Sequence, residues 1–73
     1  MSTLEECLRV LEVPKEIEYE MLSFTEKERY KICIAVERGY EVIVNASMFD
    51  KDTLKKLIDY LNEKEVQYEV INQ

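Results

Sequence analysis

The chain has no histidine and no tryptophan, one glycine (Gly39), one proline (Pro14) and two cysteines (Cys7 and Cys33) among 73 residues. Each scarcity removes a class of chemistry. Without histidine, the commonest general base and the commonest metal-binding side chain are both missing, which excludes imidazole-based hydrolysis and ordinary zinc sites. One glycine cannot build the glycine-rich loops that cradle phosphates in dinucleotide-binding or P-loop proteins. Asp50-Lys51-Asp52 alternates acids as a calcium loop does, but lacks the central glycine and the terminal glutamate. Those aspartates suit helix capping. Ser23 and Ser47 have no base to activate them and also read as caps. The expectation is a protein with no catalytic residues, no metal and no cofactor.

Long apolar runs are missing too, and Met1–Val13 carries acids where a signal peptide has bases and a hydrophobic stretch. Cys7 and Cys33 form no CxxC pair and read as reduced core thiols. A cytoplasmic location is expected.

Hydrophobic residues make up 47% of the chain and charged residues 36%, a globular balance that fits one domain over residues 1–73. The formal net charge is −6, which argues against direct binding to nucleic acid or anionic membranes. Residues 1–28 hold eight acids against three bases, whereas residues 29–73 hold eight against seven. The acidity is therefore concentrated in the first part of the chain.

Ser2 or Thr3, with Glu5 or Glu6 three residues later, opens a helix whose apolar positions are Leu4, Cys7, Leu8 and Leu11. Val13-Pro14 ends it. Between Glu16 and Leu22 the pattern alternates, with Ile17, Tyr19 and Met21 on one side and Glu16, Glu18 and Glu20 on the other, predicting a half-buried strand. Two patterns compete over 29–46. Thr25–Glu28 has the form of a capping box for a helix ending at Gly39. As strands, Tyr30, Ile32, Ile34 and Val36 share a face with Tyr40, Val42 and Val44 when Glu37-Arg38-Gly39 makes a hairpin turn. Turn chemistry and register together favour the hairpin.

Asp50 then caps a helix carrying Leu54, Leu57, Ile58 and Leu61, which fades near Lys64 before a last strand with Val66, Tyr68 and Val70. Tyr40-Glu41-Val42-Ile43 and Tyr68-Glu69-Val70-Ile71 share four letters through strand propensity rather than duplication. The predicted class is α+β: a two-layer sandwich in the order helix-strand-strand-strand-helix-strand, with a mostly antiparallel sheet and both helices on one face.

That order resembles, in topology alone, a large class of nucleases. The Glu-x-Lys motif of that class has no counterpart in Glu41-Val42-Ile43-Val44-Asn45. The first five elements also resemble a double-stranded RNA binding domain, whose lysine cluster would correspond to Lys51, Lys55 and Lys56.

The most informative feature is the acidic row. Alternate strand residues stand about 6.6 Å apart, so Glu16, Glu18 and Glu20 would form a line of carboxylates, with Glu41 and Glu69 extending the same open sheet face. In size and charge this resembles the small acidic nucleic-acid mimics encoded by phages. It implies a non-enzymatic protein that occupies a partner with a basic surface. Two alternatives stand beside it: a homodimer or subunit that buries Cys33, Ala35 and Ile43 on the open face, and RNA binding through Lys51, Lys55 and Lys56.

Overall fold

Ser2 accepts the Glu5 amide on its hydroxyl at 3.1 Å, which starts α1 (Thr3–Val10) as its sequence predicts. The computed structural model describes residues 2–73. From α1 the chain passes through bends and a 3-10 turn (Tyr19–Met21) into α2 (Phe24–Arg38). It then forms β1 (Val42–Asn45), a 3-10 turn (Ala46–Met48), α3 (Lys51–Glu63) and β2 (Tyr68–Ile71). β1 and β2 pair in parallel, with Val42 opposite Tyr68 and Val44 opposite Val70, so α3 is the crossover of a β-α-β unit.

The domain remains α+β, but the described residues form no three-stranded antiparallel meander and no hairpin; among them three helices stand with one two-stranded parallel sheet. The resemblances to nucleases and to double-stranded RNA binding domains, which rested on that order, fall with it. Residues 30–36 lie inside α2. Its start is fixed by Ser23 and Glu26, which form a complete capping box: the Ser23 hydroxyl accepts the Glu26 amide at 3.2 Å, and the Glu26 carboxylate accepts the Ser23 amide at 2.9 Å. The box at Thr25–Glu28 is two residues out of place. Apolar residues surround much of α2 because the helix is covered from several sides. Ile32, Cys33 and Val36 join the core shared with α1 and β1, while Tyr30 meets the ring of Tyr19. An apolar arc wider than one face is what such a helix requires.

The strand expected over Glu16–Leu22 is also absent. The segment carries bends and a 3-10 turn instead and pairs with neither β1 nor β2. Of its apolar positions only Leu22 reaches the core, whereas Ile17, Tyr19 and Met21 are exposed.

All three helices end in the same way. At or just past each C-cap, Glu12, Gly39 or Glu65 takes a left-handed backbone with φ of 57°, 76° or 56°. The amides of the following residues, Val13, Tyr40 and Val66, bond back to the carbonyls of Leu8, Ala35 and Leu61 at 2.8, 2.9 and 2.9 Å. This is the Schellman arrangement, which satisfies carbonyls that a helix end otherwise leaves free. Gly39, expected in the hairpin turn, supplies its positive φ to a helix end instead.

Val42 and Val44 are completely buried with Leu11, Leu57 and Leu61, whereas Ile43 between them is half exposed. One face of the sheet is therefore covered and the other is open. Arg29 ties the layers together: its guanidinium donates to the Leu11 carbonyl at 3.2 Å and lies 5.4 Å from the centre of the Phe49 ring.

Candidate functional site

The segment from Val13 to Phe24 is held at a few points and exposed between them. Val13 is buried after the α1 cap, and Leu22 is buried just before α2. Between them the 3-10 turn is closed by the Met21 amide on the Glu18 carbonyl at 2.9 Å and by the Leu22 amide on the Tyr19 carbonyl at 3.1 Å. The Tyr19 ring meets Tyr30 edge-on at 5.4 Å, with the Lys27 ammonium 5.5 Å from its centre. What remains outside is distinctive: Ile17, Met21 and Phe24 are 46%, 76% and 70% exposed, Ile17 and Met21 next to the exposed acids Glu16, Glu18 and Glu20 and Phe24 a few residues beyond them.

These acids stand outside the ion pairs of the described residues. Among the described residues, Lys15 pairs with Glu5 at 3.4 Å, Lys31 with Glu28 at 3.3 Å, Lys55 with Asp59 at 3.2 Å and Lys64 with Glu6 at 3.1 Å. None of these pairs includes Glu16, Glu18 or Glu20. The paired acids respond as expected: hydrogen bonding from Lys15 holds the Glu5 carboxyl below its ordinary pKa, and Lys64 does the same for Glu6.

The five predicted site residues fall into two groups. Glu16, Glu18 and Glu20 lie on the turning segment. Glu69 lies beside Ile43 in the sheet register, and Glu41 immediately precedes β1. No hydrogen bond or ion pair among the described residues joins the groups. A single straight line of five carboxylates is not formed.

The apolar centre imagined for a homodimer also divides. Cys33 is buried inside α2 and Ala35 is half-buried there, leaving only Ile43 on the open sheet face. Lys51, Lys55 and Lys56 are exposed on α3, but Asp52 and Asp59 share the helix and Asp50 caps it. That stretch is not a basic patch.

Sequence patterning missed Met21 and Phe24 as surface residues, because a strand would have buried Met21 and the displaced helix start left Phe24 unassigned. The sign was present in Ser23-x-x-Glu26, which makes Phe24 the first residue of a helix.

Among the described residues, no three His, Cys, Asp or Glu side chains converge as a metal site. No helix of the described residues is long and apolar enough to cross a membrane. No family model, curated protein or solved structure matches the chain.

Proposed function

We propose that this chain is a non-catalytic protein-binding domain that presents Glu16–Phe24 to a partner with a basic surface around an apolar depression. The observation that carries the proposal is the exposure of Ile17, Met21 and Phe24 beside three acids that form no ion pair among the described residues. Large apolar side chains grouped in this way on a small domain mark an interaction surface. Surrounding charge steers encounter and selects the sign of the partner. Attachment at Val13, Tyr19 and Leu22 restrains the segment beforehand, which lowers the ordering cost of binding.

The turn at Tyr19–Met21 removes the straight carboxylate row that imitation of a phosphate backbone would need. Recognition is better served by the mixture of acid and apolar groups. The free thiols of Cys7 and Cys33 suit a reducing compartment such as the cytoplasm, where the partner would be met.

Affinity capture with the tagged chain, followed by titration of the captured protein, tests the proposal. Reversal of Glu16, Glu18 and Glu20 to lysine is expected to weaken binding strongly, and Met21→Ser with Phe24→Ser to weaken it independently of salt. Reversal of Lys51, Lys55 and Lys56 to glutamate is expected to have little effect. Full binding by both the acidic reversal and the serine pair would refute the proposed surface.

A further inference from the structure

Among the described residues β1 has one neighbour in the sheet, β2, and its other edge is open. In a parallel ladder a strand bonds to its neighbour through alternate residues. The Val42 amide donates across the ladder to the Gln67 carbonyl at 3.0 Å, so the amide and carbonyl of Ile43 point away from β2. No other described backbone group bonds to them. Along this edge lies a cleft of about 140 Å³ between β1 and α2, with Ile32, Ala35, Met48 and Phe49 on its apolar side and Glu28 and Glu41 at its rim. A space of that order accepts one benzene-sized apolar group. Lys31 pairs with Glu28, but Glu41 has no ion pair among the described residues, and Glu69 stands across from Ile43.

These features define an occupant. A strand added to the edge would bond to the Ile43 amide and carbonyl and send alternate side chains to opposite faces of the sheet. On the covered side the cleft takes an apolar side chain. On the open side, Glu41 and Glu69 favour lysine or arginine. A second copy of β1 fits poorly, because its Val42 and Val44 are 1% and 0% exposed in their own core and cannot enter a neighbour's cleft. It would also set two acidic faces side by side.

We infer that the open edge of β1 binds an extended segment of a basic partner by strand addition, with an apolar side chain in the α2–β1 cleft and a lysine or arginine over Glu41. This rests on the proposed function only for the sign of the partner's charge.

The test follows amide exchange by NMR in the ¹⁵N-labelled full chain, with terminally blocked Lys-Leu-Lys-Leu-Lys, Ser-Leu-Ser-Leu-Ser and Glu-Leu-Glu-Leu-Glu peptides as probes. The lysine peptide is expected to slow exchange of the Ile43 amide several-fold, and the glutamate peptide to have no effect. Glu41→Lys, at an exposed position, is expected to reverse that order while preserving the fold. Slowed exchange confined to Tyr68 and Val70 would place the strand on β2 and overturn the inference. Protection of Ile43 without peptide, rising with protein concentration, would overturn it in favour of a second copy. Equal protection by all three peptides would remove the basic partner but leave the edge active, overturning the pairing over Glu41. Protection by none would overturn strand addition, while capture with the Glu16, Glu18 and Glu20 variant still decides the proposed function separately.

Discussion

Cys7 of α1 and Cys33 of α2 are neighbours in the core between the two helices, neither of them exposed to solvent. Hydrogen bonding with Cys7, followed by burial, pushes the Cys33 thiol well above the ordinary cysteine range. The nucleophilic thiolate of Cys33 is therefore suppressed in the folded protein, and burial shuts Cys7 away from reagents. Both cysteines are expected to resist a thiol-specific reagent at pH 8 and to react quickly in denaturant. Stoichiometric labelling of the native protein within minutes would show that the α1–α2 interface opens readily.

The three Schellman caps give opposite expectations at similar positions. Glu12 and Glu65 hold a left-handed backbone, which costs an L-residue with a Cβ roughly 1 kcal/mol, whereas glycine adopts it freely. Glu12→Gly and Glu65→Gly are each expected to raise unfolding stability by about 0.5–1 kcal/mol. Gly39→Ala meets no atom within 4 Å of the added Cβ, so its expected loss of about 1 kcal/mol is conformational alone. Chemical denaturation of the three variants measures all of this. A stabilised Gly39→Ala would contradict the left-handed cap.

Acid should erase one specific contribution. Glu6 is held below its ordinary value of 4.5 chiefly by hydrogen bonding from Lys64. A carboxyl with a depressed folded-state pKa stabilises the fold above its unfolded pKa, and that contribution disappears as pH falls through the folded pKa. Lys64→Met is therefore expected to be less stable than the parent at pH 7, with the gap closing below about pH 4.5. Because the pair is exposed, the gap should also narrow in high salt. A gap that persists at pH 2.5 would assign the loss to the Lys64 contact with the Tyr60 ring.

The ends of the chain were legible from sequence, and the middle was not. Around α1 and α3, single caps at Ser2 and Asp50 precede one apolar stripe each, and local and tertiary demands agree. Val42–Asn45 and Tyr68–Ile71 are rich in β-branched residues and became strands, though paired with each other in parallel rather than in a meander. The middle failed where two periods overlapped. Tyr30, Ile32, Ile34 and Val36 satisfy a strand's alternation, yet the same letters belong to a helix covered on several sides, and only the Ser23–Glu26 hydrogen bonds separate the two. The error carried into the site. Glu16, Glu18 and Glu20 are legible in the sequence as exposed acids, but their geometry depends on a strand that requires a neighbour, and the apolar exposure of Met21 and Phe24 follows only from the fold.

Tyr60 permits a final test of the core. It belongs to the core cluster that holds Cys7 and Leu57, and its hydroxyl lies buried near Glu6 without reaching hydrogen-bonding geometry. Burial accordingly pushes its ionisation well above the usual tyrosine range. A buried hydroxyl without a partner has lost its water and gained nothing, so deleting it removes a penalty rather than a bond. Tyr60→Phe is therefore expected to leave stability unchanged or raise it by up to about 1 kcal/mol, while Tyr60→Ala, which opens a cavity, should cost about 3–5 kcal/mol. Urea unfolding of both variants at pH 7 makes the measurement. A loss of about 1.5 kcal/mol or more in Tyr60→Phe would mean that the hydroxyl donates to the Glu6 carboxylate in solution, since bonds to charged groups carry that weight. The Lys64 variant then decides between the two donors to Glu6: if Tyr60 is the dominant one, Lys64→Met should leave the acid-sensitive contribution in place.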